Sequence, residues 1–332
     1  MNSSFINSQL FLATQSLRKR LIGGLFGLLA VSALFAQPAN EPLLTRSTPV
    51  EPNLLFILDT SGSMGNSFVY SQAFRAATDA CGDDEIRDSS PFVNLLYYDP
   101  RKRYRIGRDD SGALRSNASI DSDSKIEVYL PIGWNNGFTG AGSFNPNNST
   151  LRSQLCDRAR YIRYEVTSTN RFFLGGQTNV TATEVFTNPF GTKSLLRTDC
   201  AGTICTATEE RQNIANWRQF HSTRQLAART GAGEAFANVP TTFRLGYGTI
   251  FATSTSNYST MTAFPTARNS FYTWINGLGT GGNTPLRSAL DTAGRYYSQQ
   301  ANTGPWGSKP WDPPSSETAA SHVSCRRSFS IL

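Results

Sequence analysis

The stretch Asn53-Leu-Leu-Phe-Ile-Leu-Asp-Thr-Ser-Gly-Ser-Met64 constrains this chain more than any other. Leu54 to Leu58 are apolar without alternation, so a strand built from them needs cover on both faces. That is the pattern of an inner strand in a parallel sheet with helices on either side, and the expected fold class is α/β. Just past the strand's carboxyl end come Asp59, Ser61 and Ser63, a carboxylate and two hydroxyls at alternate positions. Open α/β sheets bind their ligands at that rim. The donor set suits a hard cation: Asp59 brings charge, the serines bring neutral oxygens, and positions remain for water or a partner's carboxylate. Gly62 permits the tight turn that brings both hydroxyls to one point. The plain alternative is an Asx or Ser turn that merely ends a strand.

After Met64, about 145 residues pass before the next helical pattern, too many for one structureless loop. Residues 65–210 are therefore expected to form an inserted, β-rich subdomain. Its strand-like pieces are 126–132, 160–166 and 183–186, separated by turn-forming stretches at 135–137 and 145–148. Asp121-Ser-Asp-Ser-Lys125 begins like a calcium loop, but Lys125 stands where a third ligand belongs, and the stretch reads as a solvated turn. Trp217, Phe220, Ala227, Gly231 and Ala235 then recur as one helical stripe of mostly small residues, as for a helix pressed on a sheet. Residues 243–251 alternate like a second strand, and 271–275 look like a short helix.

The glycine-rich run from Gly277 to Arg287 allows two readings. Gly277, Gly282 and Thr284 fit the outer frame of a phosphate-binding loop, but Asn283 replaces the lysine and no strand leads in. The other reading starts from Thr284-Pro285, with Thr284 as N-cap and Pro285 opening a helix. Leu286, Ala289, Leu290, Ala293 and Tyr297 would be that helix's buried stripe. No catalytic His or Cys pairing stands near Asp59. A phosphoryl-accepting aspartate would want a second carboxylate where Ser61 stands, so no enzyme is expected.

Compartment is read from the first residues. Arg18-Lys-Arg20 precedes a short apolar run to Ala36 that glycines interrupt, the pattern of an export signal over residues 1–36. Residues 37–52 form a proline-punctuated linker, and no later stretch is long and apolar enough to cross a bilayer. Of the 332 residues, only 17% are charged, which fits a loop-rich extracellular protein. The net charge of +7 is modest, and its clusters lack the interleaved aromatics of a nucleic-acid stripe, so no nucleic-acid partner is expected. In an oxidising compartment Cys81, Cys156, Cys200, Cys205 and Cys325 are disulfide candidates, with Cys200 and Cys205 closing a short loop. No Cys-x-x-Cys pair exists, and His221 and His322 lie far apart, which argues against a zinc site.

Asp59, Ser61 and Ser63 resemble the metal-ion-dependent adhesion site (MIDAS) of von Willebrand factor A domains. A longer ordered set resembles the amino-terminal part of PilY-type type IV pilus tip adhesin and biogenesis proteins. It runs through the export signal, Phe56 to Ser63, Leu96-Tyr-Tyr-Asp-Pro100, Asn213-Ile-Ala-Asn-Trp217 with Arg224, Phe243-Arg-Leu-Gly-Tyr247, Gly282-Asn-Thr-Pro-Leu286, Gly294-Arg-Tyr-Tyr297, and Cys325. The resemblance implies an A-like, doubly wound parallel sheet made of residues 53–64 and 211–332, interrupted by the insertion. It implies Mg2+, or Ca2+ or Mn2+, held by Asp59, Ser61, Ser63 and, from the glycine loop, Thr284. It implies minor pilins and a host or surface ligand as partners, and a place from the periplasm to the pilus tip. The last strand, 328–332, is expected beside the first. The sequence ends at Leu332, ahead of the family's next metal-loop aspartate, so the resemblance implies a truncated A-like domain with an exposed apolar edge, with the Leu54–Leu58 face uncovered, and with no core in the insertion. Another exported A-domain protein without a pilus role, or a chelatase-type metal-motif subunit, are the alternatives.

Overall fold

The computed structural model describes residues 51–70, 84–131, 161–167, 171–176, 183–185, 191–299, 305–306 and 326–332. The export signal, most of the linker, Cys81, Cys156, Cys325 and the turns at 135–137 and 145–148 lie outside the described residues.

The Leu54–Leu58 run does form an inner strand. β1 (Asn53–Leu58) is buried along its whole length. It pairs in parallel with β6 (Arg244–Thr249), Leu54 opposite Leu245, and with β8 (Ser328–Ile331), Leu54 opposite Phe329. A two-residue strand β7 (Thr262–Ala263) joins β6 antiparallel, so the sheet order is β7-β6-β1-β8. Alternate side chains of β1 enter separate cores, as the pleat requires. Leu54, Phe56 and Leu58 pack with Phe236 of α3 (Arg224–Ala237) and with Phe264, Phe271 and Ile275 of α4 (Phe264–Gly277). Phe56 meets the rings of Phe236 and Phe271 edge-on at 5.1 and 6.1 Å. On the other face, Leu55 and Ile57 pack with Ala289, Ala293 and Tyr296 of α5 (Leu286–Tyr297). Helices thus cover both faces of a sheet with parallel pairs, an α/β arrangement. The expected bare face of β1 is not found, because α3, α4 and α5 supply its partners. Phe329 and Ile331 of β8 are half exposed.

The second sheet belongs to the stretch between β1 and β6. It follows a short helix, α1 (Asp84–Ser89), and runs as an antiparallel meander of β2 (Ile126–Pro131), β3 (Tyr161–Val166), β4 (Phe172–Gly176) and β5 (Thr183–Val185). The sequence reading has β2, β3 and β5 but not β4, whose five residues end in two glycines and offer little alternation. This part carries its own core, contrary to expectation. Val128, Leu130, Tyr164, Val166 and Phe172 are fully buried and pack with Tyr98 and with Ala207 and Ile214 of α2 (Ala207–Phe220). Period-two alternation in β2 directs Ile126, Val128 and Leu130 to one side, and α2 closes over them.

The single helical stripe from Trp217 to Ala235 is corrected. The chain breaks at His221-Ser-Thr223, where the Thr223 hydroxyl accepts from Leu226 N at 3.2 Å and caps a new helix. Gly231 and Ala235 are exposed, and α3 buries Gln225, Thr230, Gly233 and Phe236 instead. The short helix expected at 271–275 is α4, nearly four turns long. In α5 the buried set is Ala289, Thr292, Ala293 and Tyr296, whereas Leu286 and Leu290 face solvent. Asp121-Ser-Asp-Ser124 is a turn held locally, with Asp123 N and Ser124 Oγ both donating to Asp121 Oδ1.

Candidate metal centre

β1 delivers Asp59 to the sheet's carboxyl rim, and the next residues are fixed chiefly by main-chain bonds. Ser61 N donates to Asp59 Oδ1 at 2.8 Å, an Asx turn that holds the carboxylate against its own loop. Asp59 Oδ2 has no hydrogen bond among the described residues. A 3-10 turn follows over Gly62–Gly65. The Ser61 and Ser63 hydroxyls stand 3.2 Å apart, so the structure brings both to one point. Ser61 is buried and Ser63 exposed. One carboxylate oxygen and two converging hydroxyls fit a hard cation that keeps several waters.

The glycine loop docks on this turn. Gly62 N donates to Gly282 O at 3.1 Å, and Gly281 N donates to Thr60 O at 2.9 Å. Gly282 reaches that position with φ of 69°, in the left-handed region that glycine tolerates. A Cβ there would stand 2.9 Å from Phe251 Cζ, so the tip of that ring would have to shift as well. Thr284 lies two residues beyond Gly282, at most about 7 Å of chain, on an exposed part of the same loop. The expected capping role is corrected: Pro285, not Thr284, is the N-cap of α5, and no side chain caps it. Thr284 contributes its carbonyl to Leu286 N at 2.9 Å, and its hydroxyl makes no hydrogen bond among the described residues.

Sequence reasoning missed Thr280. Its Oγ1 lies 3.2 Å from where a Gly65 Cβ would stand, so a second hydroxyl of the glycine loop approaches the turn. The clue was the density of glycines in 277–282, which marks close approach of two backbones as well as a phosphate cradle. Among the described residues no group of three or more His, Cys, Asp or Glu side chains converges, so a cation here would rest on one carboxylate and on hydroxyls. The chain after the turn is gripped by the start of α3, where Arg224 N donates to Asn66 O at 3.1 Å and Arg224 Nε to Phe68 O at 2.8 Å.

Cys200 and Cys205 are joined, with Cα atoms 5.1 Å apart, as expected for the short loop before α2. Glu209 in the first turn of α2 ties that loop down. Its carboxylate accepts from Ala201 N at 2.7 Å and, in a capping box, from Thr206 N at 2.8 Å.

No family model matches the chain, and no solved structure does. Curated relatives do. The type IV pilus biogenesis factor PilY1 of Pseudomonas aeruginosa strain PAO1 is 30% identical over 303 residues, covering 85% of this chain and 23% of that protein. PilY1 of strain PAK is 26% identical over 305 residues, with the same coverage. PilY1 of strain UCBPP-PA14 is 27% identical over 279 residues, 78% of this chain and 21% of that protein. The chain thus spans less than a quarter of the length of the curated relatives it matches. Among the described residues no helix is long and apolar enough to cross a membrane. Across the stretch that these alignments cover, the chain belongs to the PilY1-type proteins.

Proposed function

We propose that this chain is the A-like, metal-loop region of an exported type IV pilus biogenesis and tip-adhesion protein, without catalytic activity. The observation that carries the reading is the docking of the glycine loop on the turn after β1, in which the Ser61 and Ser63 hydroxyls stand 3.2 Å apart and the Asp59 carboxylate is held by the Ser61 amide. Asp59, Ser61 and Ser63 would hold Mg2+, with Thr284 as the hydroxyl from the second loop. A bound divalent ion supplies an electrophilic position for an acidic group of a partner. The chain's own part is to orient that position: the Ser61 amide fixes the carboxylate, and two main-chain bonds fix one loop against the other. The likeness to PilY1 supports minor pilins and a surface ligand as partners, and a location from periplasm to pilus tip. It also weighs against a chelatase-type subunit, which would work in the cytosol.

The test is Asp59→Ala in the full-length protein of a piliated cell. Magnesium affinity by calorimetry and surface attachment should fall together, while the melting midpoint without metal stays near that of the parent. Equal magnesium affinity with and without Asp59 would overturn the metal assignment. Loss of affinity with unchanged attachment and pilus number would overturn the adhesion role.

A further inference from the structure

A second site lies on different elements. A cavity of about 220 Å³ opens where the hairpin-like loop 107–115 crosses α3 and α4. Its apolar floor is formed by Leu226, Tyr272 and Ile275, and three guanidinium groups, Arg108, Arg115 and Arg229, line it.

Among the described residues Arg108 is the one of these three with a carboxylate at ion-pair distance, while Arg115, after the Ser111 hydrogen bond, helps hold the exposed Asp109 below its usual pKa. Arg108 is paired with Glu234, Nη2 at 2.9 Å and Nε at 3.1 Å, and Glu234 is shared with Arg105 at 3.4 Å. Arg115 gives its Nε to Arg108 O at 3.0 Å, and Arg229 gives one Nη2 hydrogen to Asn276 O near the end of α4. Neither Arg115 nor Arg229 has a carboxylate within ion-pair distance among the described residues. The nearest acidic group felt by Arg229 is Asp110, whose Oδ1 already accepts from Asn276 Nδ2 at 2.8 Å. Partial burial and the Arg115 charge outweigh Asp110 and hold Arg229 below its ordinary pKa. Two like-charged residues therefore line one partly open cavity, each with spare N–H donors, in surroundings that raise the cost of leaving charge uncompensated. Guanidinium forks match carboxylate and phosphate oxygens in pairs, and the apolar floor leaves room for more than a bare ion.

We propose that this cavity binds an oxyanion, a carboxylate or phosphate borne on a compact organic group, held by Arg115 and Arg229 over the Leu226–Ile275 floor. It shares no residue with the metal loop, so the two readings stand or fall separately.

The experiment is isothermal titration of the full chain at constant ionic strength, with benzoate and inorganic phosphate as separate probes and Arg115→Gln and Arg229→Gln as variants. At least one probe should bind saturably to the parent, weakened by about tenfold or more in Arg115→Gln, the loss of one charge-assisted pair. Tighter binding of benzoate assigns a carboxylate ligand, and tighter binding of phosphate assigns a phosphate. Arg115→Lys keeps the charge without the fork and should also lose affinity while melting like the parent, which separates binding from folding. No saturable binding of either probe, or unchanged affinity in both Gln variants, would overturn the proposal.

Discussion

Glu210 is the most exposing point at which to test how the chain around Tyr98 and Arg197 is tied to the start of α2. Its carboxylate is fully buried and bridges two partners: Tyr98 Oη donates to Oε1 at 2.6 Å, and Arg197 Nη1 donates to Oε2 at 2.6 Å. Arg197 is itself fully buried, reaches Pro100 O at 2.7 Å and grips Asp199 at 2.9 Å. Burial alone would lower the Arg197 pKa, but Glu210, Tyr98 and Asp199 outweigh it and hold it above the ordinary range. Burial, then the Glu210 charge, pushes the Tyr98 hydroxyl well above its usual value, so Tyr98 acts as a neutral donor. Glu210→Ala leaves a guanidinium in the interior with only part of its compensation. Breaking a buried pair in this way costs about 3–5 kcal/mol, and the surviving Asp199 contact places the loss near the lower end. For a unit of this size, about 3 kcal/mol lowers the melting midpoint by roughly 6–12 °C. Circular dichroism melts of the parent, Glu210→Ala, Arg197→Met and the double variant measure it. The double variant should be more stable than the sum of the singles, because it leaves no lone buried charge. A Glu210→Ala midpoint within about 2 °C of the parent, or additive losses in the double variant, would refute the argument.

Asp99 and Gly282 give two other tests. Asp99 is buried, which would raise its pKa, but Arg101 at 2.9 Å and Lys102 at 3.4 Å outweigh burial and depress it; its stabilisation is present above the unfolded value of about 3.9 and lost as pH falls through the folded one. Melting below about pH 4 should therefore drop more steeply for the parent than for Asp99→Asn, and parallel acid limbs would contradict this. Gly282→Ala places a Cβ at φ 69° and 2.9 Å from the Phe251 ring, so it should destabilise by roughly 1–2 kcal/mol and weaken magnesium binding; a variant that melts and binds like the parent would show that the glycine loop does not set the site.

The inner strand was legible because nothing but double-sided cover explains five apolar residues in a row, and the structure supplies that cover from α3, α4 and α5. The placement of β8 beside β1 came from the family pattern, not from four residues of sequence. Helix limits were less legible. Periodicity carries smoothly from Trp217 to Ala235 even though the chain turns at His221-Ser-Thr223, since a cap changes backbone direction without changing the spacing of small residues. The α5 face was misread because Leu286 and Leu290 are larger than Thr292, yet the close approach to β1 suits Ala289, Thr292 and Ala293. The Glu210 network could not be read at all. Its members, Tyr98 and Glu210, are separated by 112 residues, and no local pattern marks a carboxylate that will be buried. At the rim, residue types named Asp59, Ser61 and Ser63, but the docking of the glycine loop on their turn joins residues more than two hundred positions apart and leaves no local pattern.

That main-chain docking decides what side-chain changes at the rim can mean. The turn after β1 is held by Gly62 N to Gly282 O, by Gly281 N to Thr60 O, by Met64 N to Ser61 O at 2.9 Å, and downstream by Arg224 N to Asn66 O. None of these bonds uses the Asp59 carboxylate, the serine hydroxyls or the Thr284 hydroxyl. Replacing those side chains removes oxygen donors while leaving the turn's principal supports in place; only the Asx bond from Ser61 N goes with Asp59. Loss of one such hydrogen bond is worth about 1 kcal/mol, small beside the loss of the only charged donor the loop offers a divalent ion. A rim built in this way separates binding from folding, and a fall in metal affinity at Asp59 reports on ligation and not on the collapse of the loop.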